Sequence, residues 1–303
     1  MVNRRVVSSL ALLAAASISR TDMFFVITRV LRRNPAWQPS RVRMGSKQTF
    51  YYDTGNYGDG REEYAVKFVR ERAEAGNLNS VLGALEEFHC RWSMLHIGPE
   101  KGRYLDEAVV SARKAAQPNT SRPASFLALE VGTYIGYSAV RIARAAMRCS
   151  ELPFRLFSLE KNADNAYWAR QILSIAGLGT DERIRVLQGT LDDHQSLLLE
   201  EMAAGADFVF LDHQKRAYLQ DLQAMEALGL VRPGSVVAAD NVDGLEHIRN
   251  RELAIQRGKR KKPCRCNKKA CDYTWYVRNS GRYRSQAFHG ATDGIEISYA
   301  LQV

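Results

Sequence analysis

The chain has 303 residues and five cysteines, with 46% hydrophobic and 25% charged residues. These are the values of an ordinary globular protein, so they exclude a disordered chain, a fibrous chain and a small disulfide scaffold. No apolar run approaches the roughly 20 residues that a membrane-spanning helix needs, which excludes a polytopic membrane protein.

The formal net charge of +10 suggests a nucleic-acid partner, but the positive charge is confined to two stretches. Residues 1–52 carry nine Lys or Arg against one Asp, and residues 249–286 carry thirteen against two acids. The rest of the chain carries 21 basic and 30 acidic residues, so its body is acidic. Because phosphate binding requires a broad positive surface, we expect no nucleic-acid partner.

Residues 1–33 have the composition of a targeting or anchor segment. Arg4 and Arg5 precede an apolar run over 6–18, as in a signal peptide or a short membrane anchor. The scarcity of acids and the repeated Arg and Ser also fit a mitochondrial or other organelle transit peptide, and a non-functional extension is a further alternative. The pattern slightly favours the secretory pathway or membrane association. Residues 34–60, rich in Pro, Gly and Tyr without periodicity, are predicted to be a linker before a folded domain over 61–303.

The body begins with three predicted helices, over 61–78, 79–92 and 101–116, and Ser80 is the expected N-cap of the second. Short apolar runs then alternate with amphipathic segments. The predicted strands cover 126–131, 155–160, 183–189, 206–212 and 235–240. This alternation predicts an α/β fold built on a doubly wound, mostly parallel sheet.

The ends of the predicted strands carry the candidate site. In such sheets ligands bind at the carboxyl ends of the strands. Four of the five ends carry a carboxylate: Glu130, Glu160, Asp212 and Asp240. Chance rarely places acids so regularly, which indicates a functional edge of the sheet.

The segment from Glu130 through Gly132 to Gly136 follows a strand and opens a helix, as a nucleotide-binding loop does. Its spacing differs from the G-x-G-x-x-G pattern that binds a pyrophosphate, and suits a cofactor without phosphates such as S-adenosylmethionine. Glu160, at the end of the next strand, can accept hydrogen bonds from both ribose hydroxyls. The alternative is a pair of turn glycines and a solvated Glu.

A second group of residues indicates metal and proton chemistry. Asp212 and the pair Asp240-Asn241 end two strands that we expect to be neighbours, and their oxygens suit octahedral Mg²⁺. Lys215 follows on the loop after Asp212, and a lysine near Mg²⁺ and shielded from water can act as a general base. The alternative assigns the acids to helix caps and Lys215 to the solvated surface.

The segment from about Gly58 to Ala300 resembles the catechol O-methyltransferase family. The motifs that carry this resemblance include GNLNSVLGALEEF, ALEVGTYIGYSAVRIAR, FVFLDHQKRAYL and LVRPGSVVAADNV. The resemblance implies the Rossmann-like fold of S-adenosylmethionine-dependent methyltransferases, with N-terminal helices covering the site. It also implies Mg²⁺ as cofactor, a small-molecule catechol or phenol as partner, and a monomer.

The resemblance further implies a role for each matching residue. Lys215 is the implied base, and the implied Mg²⁺ ligands are Asp212, Asp240 and Asn241. The implied cofactor-binding residues are Glu130, Gly132, Tyr134, Ser138, Glu160, His213, Met94 and Asp192. The implied substrate-binding residues are Trp92, Gln214, Lys215 and Asn241. For Trp92 and Met94 a buried core role is the alternative.

The implied reaction is direct methyl transfer from S-adenosylmethionine to a catechol hydroxyl. Mg²⁺ lowers the pKa of the bound hydroxyl, Lys215 accepts its proton, and the phenolate attacks the sulfonium methyl. The chain departs from the family at two substrate-orienting positions. Gln214 replaces a tryptophan, and Ala287 stands where the family has a glutamate, with no acid between Asp272 and Asp293. Methyl transfer to a phenol is therefore a firmer expectation than methyl transfer to a catechol in particular.

Two alternative functions remain open from the sequence. The basic stretch over 249–286 motivates an RNA-modifying methyltransferase, and the missing glutamate motivates a non-catalytic binding protein that keeps the cofactor fold. The basic stretch also holds Cys264, Cys266 and Cys271, one thiol short of a closed zinc site. We expect a disulfide or free thiols on a solvated loop there.

Overall fold

The computed structural model describes residues 58–116, 125–149, 152–243, 271–289 and 293–302, all within the unit Asp53–Val303. The predicted targeting segment and nearly all of the predicted linker lie outside the described residues. The same holds for residues 244–270, which include Cys264, Cys266 and most of the basic run behind the RNA alternative. In the part of the chain that is described, no helix is long and apolar enough to cross a membrane.

Eight α-helices, two short 3-10 helices and seven strands make up the described domain. Three helices precede the sheet: α1 (Arg61–Arg72), α2 (Leu78–Arg91) and α3 (Gly98–Ala115). The alternating part then runs β1 (Phe126–Val131), α4 (Tyr137–Cys149), β2 (Phe154–Glu160), α5 (Ala163–Ile175), β3 (Ile184–Gln188), α6 (Gln195–Glu201), β4 (Phe208–Leu211), α7 (Tyr218–Ala227) and β5 (Val236–Asp243). The last described elements are α8 (Cys271–Asn279), β6 (Tyr283–His289) and β7 (Asp293–Ala300).

The seven strands form one sheet in the order β3-β2-β1-β4-β5-β7-β6. The first five are parallel, while β7 runs antiparallel to both β5 and β6. The predicted doubly wound, mostly parallel sheet is therefore confirmed. Because the strand order reverses between β1 and β4, the crevice for a ligand lies at the carboxyl ends of these two strands.

Helices cover both faces of the sheet, and for this reason the central strands are continuous apolar runs in the sequence. All six residues of β1 are buried, and successive side chains enter opposite cores. Phe126 and Ala128 pack with helices α1 to α5, whereas Leu127 and Leu129 pack with α6 to α8. Each strand end is consequently held in place by two cores at once.

Local details differ from the sequence-based expectations at two places. Asn77, not Ser80, caps α2, because the Asn77 side chain accepts hydrogen bonds from the backbone N–H groups of Asn79 and Ser80, both at 3.1 Å. The Ser80 hydroxyl instead accepts from the backbone N–H of Glu74 at 2.9 Å. The basic stretch is also not all loop, since α8 and the first residues of β6 fall within 249–286.

Candidate active site

The loop after β1 brings the ends of β1 and β4 into close contact. Gly132 has φ 95°, and a Cβ there would lie 2.7 Å from the backbone N of His213 and 2.8 Å from the carbonyl O of Asp212. Such distances are shorter than real Cβ atoms make, so only glycine permits this approach. Steric crowding thus explains why the first glycine of the predicted loop, Gly132, must be glycine.

Tyr134 holds a strained conformation in the same loop. Its φ of 52° is rare for an aromatic residue and persists only where the surroundings fix it. The Tyr134 backbone N–H donates to Glu160 Oε2 at 2.8 Å, and its hydroxyl donates to Glu62 Oε1 at 2.7 Å. Glu160 Oε1 accepts from the Asn162 backbone N–H at 2.9 Å, and burial raises the pKa of Glu160. The loop is therefore fastened to α1 and to the end of β2.

Glu130 lies beneath this loop and is completely buried. The Ser158 hydroxyl of β2 donates a hydrogen bond to Glu130 Oε2. Burial raises the pKa of Glu130 to about 7. A carboxyl group in this position can be neutral or ionised near neutral pH.

The end of β4 carries Asp212, His213 and Lys215. Lys215 Nζ donates to Asp212 Oδ1 and to the Tyr218 hydroxyl oxygen, both at 2.8 Å. The Tyr218 hydroxyl donates to the Asp240 carbonyl at 3.2 Å, which links the ends of β4 and β5. His213 Nε2 lies 2.7 Å from Asp221 Oδ2.

A β-bulge presents two consecutive residues of β5 to the same cavity. Successive strand residues normally face opposite sides of a sheet. The β5–β7 register shifts between Ala239 and Val242, and Asn241 has φ 55°. The bulge re-aims the chain, as bulges at active sites do, so that Asp240 and Asn241 both line the cavity.

Asp240 is a buried carboxylate beside a second one. Burial and the negative charge of Asp212 raise the pKa of Asp240 to about 7, and Lys101 partly offsets them. Lys101 Nζ lies 2.6 Å from Asp240 Oδ1 and 2.8 Å from Asp293 Oδ1. Asn241 Nδ2 donates to Asp293 Oδ2 at 2.7 Å.

The chemistry of this set fits a hard divalent cation. A buried and a partly buried carboxylate that repel each other, together with an amide, are oxygen donors of the kind Mg²⁺ takes when waters and substrate complete the shell. Within the described ranges, no group of three or more His, Cys, Asp or Glu side chains is placed to hold a metal ion. A cation here would accordingly rely on the Asn241 amide and on ligands from outside the protein.

One cavity of about 600 Å³ unites most of the predicted site residues. The predicted residues that line it are Gly132, Tyr134, Ser138, Glu160, Asp192, Asp212, His213, Gln214, Lys215, Asp240 and Asn241. Glu130, Met94 and Trp92 do not line it. Trp92 instead packs in an aromatic cluster, 4.8 Å from Phe88 and 5.0 Å from Tyr64 between ring centroids, and Met94 is buried.

The two departures from the family pattern have distinct surroundings. With its amide oxygen turned toward Arg216, Gln214 accepts hydrogen bonds from that guanidinium at 2.7 and 2.8 Å. Ala287 lies in β6 opposite Glu296 of β7. Glu296 is completely buried and is held by Arg278 and Ser285, so it does not replace the missing glutamate.

Sequence reasoning missed four residues that support this site: Glu62, Lys101, Tyr218 and Asp293. One signal was available, because a lysine in the first turn of a helix is disfavoured by the helix dipole and Lys101 stands there. The others make contacts with residues far away in the chain or on a neighbouring loop, which local patterns do not reveal.

The comparisons with known proteins agree with this geometry. Residues 129–242 match the model of a family described as a methyltransferase domain. A probable O-methyltransferase of Mycobacterium tuberculosis is 45% identical over 195 residues, covering 62% of this chain and 76% of the relative. Catechol O-methyltransferase B of Danio rerio is 38% identical over 201 residues, covering 63% of this chain and 69% of the relative.

A likeness to solved structures supports the fold. The O-methyltransferase of Bacillus cereus, crystallised with SAH, superposes with a TM-score of 0.53 at 22% identity, over 79% of this chain and 96% of that one. The described domain has the Rossmann-like methyltransferase fold. The chain belongs to the family of catechol O-methyltransferase-like O-methyltransferases, and it is a methyltransferase enzyme.

Proposed function

We propose that this protein transfers the methyl group of S-adenosylmethionine to a hydroxyl of a catechol or related phenol, with a divalent cation and Lys215 as general base. One observation carries the proposal: Asp212, Lys215, Asp240 and Asn241 converge at neighbouring strand ends in the same cavity as the Gly132 loop. A cofactor pocket alone would not need two carboxylates and a lysine at its far side.

The cofactor residues are proposed from the cavity lining. Each oxygen of Glu160 already accepts one backbone N–H and keeps a lone pair that a ribose hydroxyl can use. Ser138, in the first turn of α4, lies where backbone N–H groups favour a carboxylate such as that of an amino acid. His213 and Asp192 are assigned to the adenine end. S-adenosylmethionine supplies the methyl group as an electrophilic sulfonium when it is bound.

Asp212, Asp240 and Asn241 would hold the divalent cation through one oxygen each. When bound there, the cation would lower the pKa of a coordinated phenolic hydroxyl from its ordinary value of about 10. The Tyr218 hydroxyl holds the Asp240 carbonyl, and the bulge in β5 turns Asp240 and Asn241 toward the cavity. Such fixed donors reorganise little during the reaction, which is how a site lowers a barrier.

Lys215 is the proposed proton acceptor. In the structure its Nζ donates to Asp212 and to Tyr218, which holds the amine at the cavity wall. The lysine must be neutral to accept a proton, and a cation bound to Asp212 would engage the carboxylate that Lys215 contacts in the structure. The Nζ atom then takes the proton of the attacking hydroxyl as the oxygen approaches the methyl group.

The acceptor is proposed to be a phenol whose second hydroxyl is not essential. Ala287 offers no carboxylate to a second hydroxyl, and Gln214 offers no aromatic face. Gln214 instead presents an amide, held by Arg216, at the cavity wall. An acceptor with a polar substituent beside the reacting hydroxyl matches this wall.

The test is methyl transfer from labelled S-adenosylmethionine to a panel of catechols and monophenols, using the full chain. We expect turnover with Mg²⁺, none with EDTA, and a loss of roughly 10²- to 10⁴-fold in kcat for Lys215→Ala. Lys67→Ala is the matched control, because Lys67 is an exposed lysine paired with Glu63 on α1. Turnover that EDTA leaves unchanged would refute the metal, and a Lys215→Ala enzyme as active as the control would refute the base.

A further inference from the structure

Two charged side chains lie directly behind the candidate metal ligands without lining the cavity. Lys101, in the first turn of α3, contacts Asp240 Oδ1 at 2.6 Å and Asp293 Oδ1 at 2.8 Å, and its side chain is only 14% exposed. Asp293, the first residue of β7, accepts from Asn241 Nδ2 through its other oxygen at 2.7 Å. A continuous chain of contacts thus joins the two consecutive ligands of β5.

The contact with Asp293 decides which end of the Asn241 amide the cavity receives. An ionised carboxylate only accepts hydrogen bonds, so the amide nitrogen must face Asp293. The carbonyl oxygen is the other substituent of the same carbon and points away from Asp293. Without Asp293 the amide can rotate, and its N–H groups would then repel a cation.

The contact with Lys101 limits how many Asp240 oxygens are available to bind a cation. One oxygen is engaged by the ammonium at 2.6 Å, which leaves the other for a cation. The helix that carries Lys101 is anchored to α4, because the Arg141 guanidinium packs closely against Gly102. Arg141 Nη2 also donates to Asp106 Oδ2 of the same helix at 2.7 Å.

The geometry points to Lys101 and Asp293 as positioning residues, a pair that orients Asp240 and Asn241 for a divalent cation. The inference rests on the proposed function in so far as it takes these two residues as metal ligands. Partners of metal ligands typically contribute roughly 10- to 100-fold in metal affinity. We assign a contribution of that size to the Lys101–Asp293 pair.

The experiment measures Mn²⁺ binding by the loss of the electron paramagnetic resonance signal of free Mn²⁺, with the full chain and without methyl donor or acceptor. Asp293→Ala is expected to weaken binding roughly 10- to 100-fold. Asp293→Asn keeps an oxygen that accepts from Asn241 and is expected to recover most of the affinity. The control is the double variant Glu63→Ala/Lys67→Met, which removes an exposed ion pair of α1 and is expected to bind Mn²⁺ as the native chain does.

A second double variant separates orientation from charge. Lys101→Met/Asp293→Ala removes one positive and one negative charge, so a pure charge effect would return the affinity to the native value. Orientation predicts that binding stays at least about tenfold weaker, and a return to native affinity overturns the proposal. Native-like binding by Asp293→Ala also overturns it and leaves the proposed function standing. No Mn²⁺ binding by the native chain overturns both, and circular dichroism of each variant confirms that it is folded.

Discussion

The close approach of β1 and β4 at Gly132 makes a quantitative prediction about stability. In Gly132→Ala the alanine must adopt a φ of 95°, a backbone conformation that costs about 1–2 kcal/mol for a residue other than glycine. The same atom meets the backbone of Asp212 and His213 at 2.7–2.8 Å, and relieving such overpacking costs about 1–3 kcal/mol more. The expected loss in the free energy of unfolding is therefore about 2–5 kcal/mol.

Gly229→Ala is the matched control for this change. Gly229 has φ 73°, but a methyl group added there would meet no described atom within 4 Å, so it experiences the backbone cost without the collision. Urea unfolding of both variants gives the difference, expected to be about 1–3 kcal/mol. Calorimetric titration with S-adenosylmethionine is expected to show weaker binding for Gly132→Ala alone. Equal destabilisation of the two variants would refute the argument that the strand ends leave no room.

Two further predictions concern buried carboxylates. Burial raises the pKa of Glu130 from its ordinary 4.5 to about 7, so the native state binds this proton more tightly than the unfolded chain. That contribution to stability is present below pH 4.5 and is lost as the pH rises through 7. In the native chain the free energy of unfolding is expected to fall by up to about 3 kcal/mol over this pH range because of Glu130, and Glu130→Gln is expected to abolish that fall in urea unfolding. The same pH dependence of stability in both proteins would contradict the prediction. Asp207 accepts from the Leu127 backbone N–H at 2.9 Å and pairs with Arg232 at 2.7 Å, so Asp207→Ala is expected to cost about 3–5 kcal/mol in the same assay. Glu63→Ala, which breaks an exposed pair, is expected to cost less than about 1 kcal/mol, and an equal effect of both would contradict the reasoning.

The strand ends were predictable because strand length and burial are local properties. Runs such as 126–131 are mostly apolar without alternation, which indicates burial on both faces, and four of the five runs carry a carboxylate at or next to their carboxyl end. The expected neighbourhood of Asp212 and Asp240 is confirmed, since β4 pairs with β5. Because the two strands are parallel, their carboxyl ends place both acids at the same edge of the sheet.

The bulge in β5 was not predictable from its own residues. Strand β5 contains neither glycine nor proline, and the register shift exists only against β7, more than fifty residues later. Asn241 was the one local hint, because asparagine tolerates a positive φ better than most residues. Trp92 shows a similar limit, since its aromatic neighbours lie on two helices whose packing angle the sequence does not state.

The two lysines of this site are distinguished by access rather than by charge. Each contacts one of the paired carboxylates, Lys215 at Asp212 and Lys101 at Asp240, with similar distances of 2.8 and 2.6 Å. Of these two, Lys215 lines the cavity and Lys101 does not, which is why the proposed function assigns the base to Lys215. Lys101 is also engaged by a second carboxylate, Asp293, which favours its charged form and makes it a poor base. In the sequence both residues are lysines near acids. The proposed roles, Lys215 as base and Lys101 as positioning residue, follow from which of the two side chains faces the cavity.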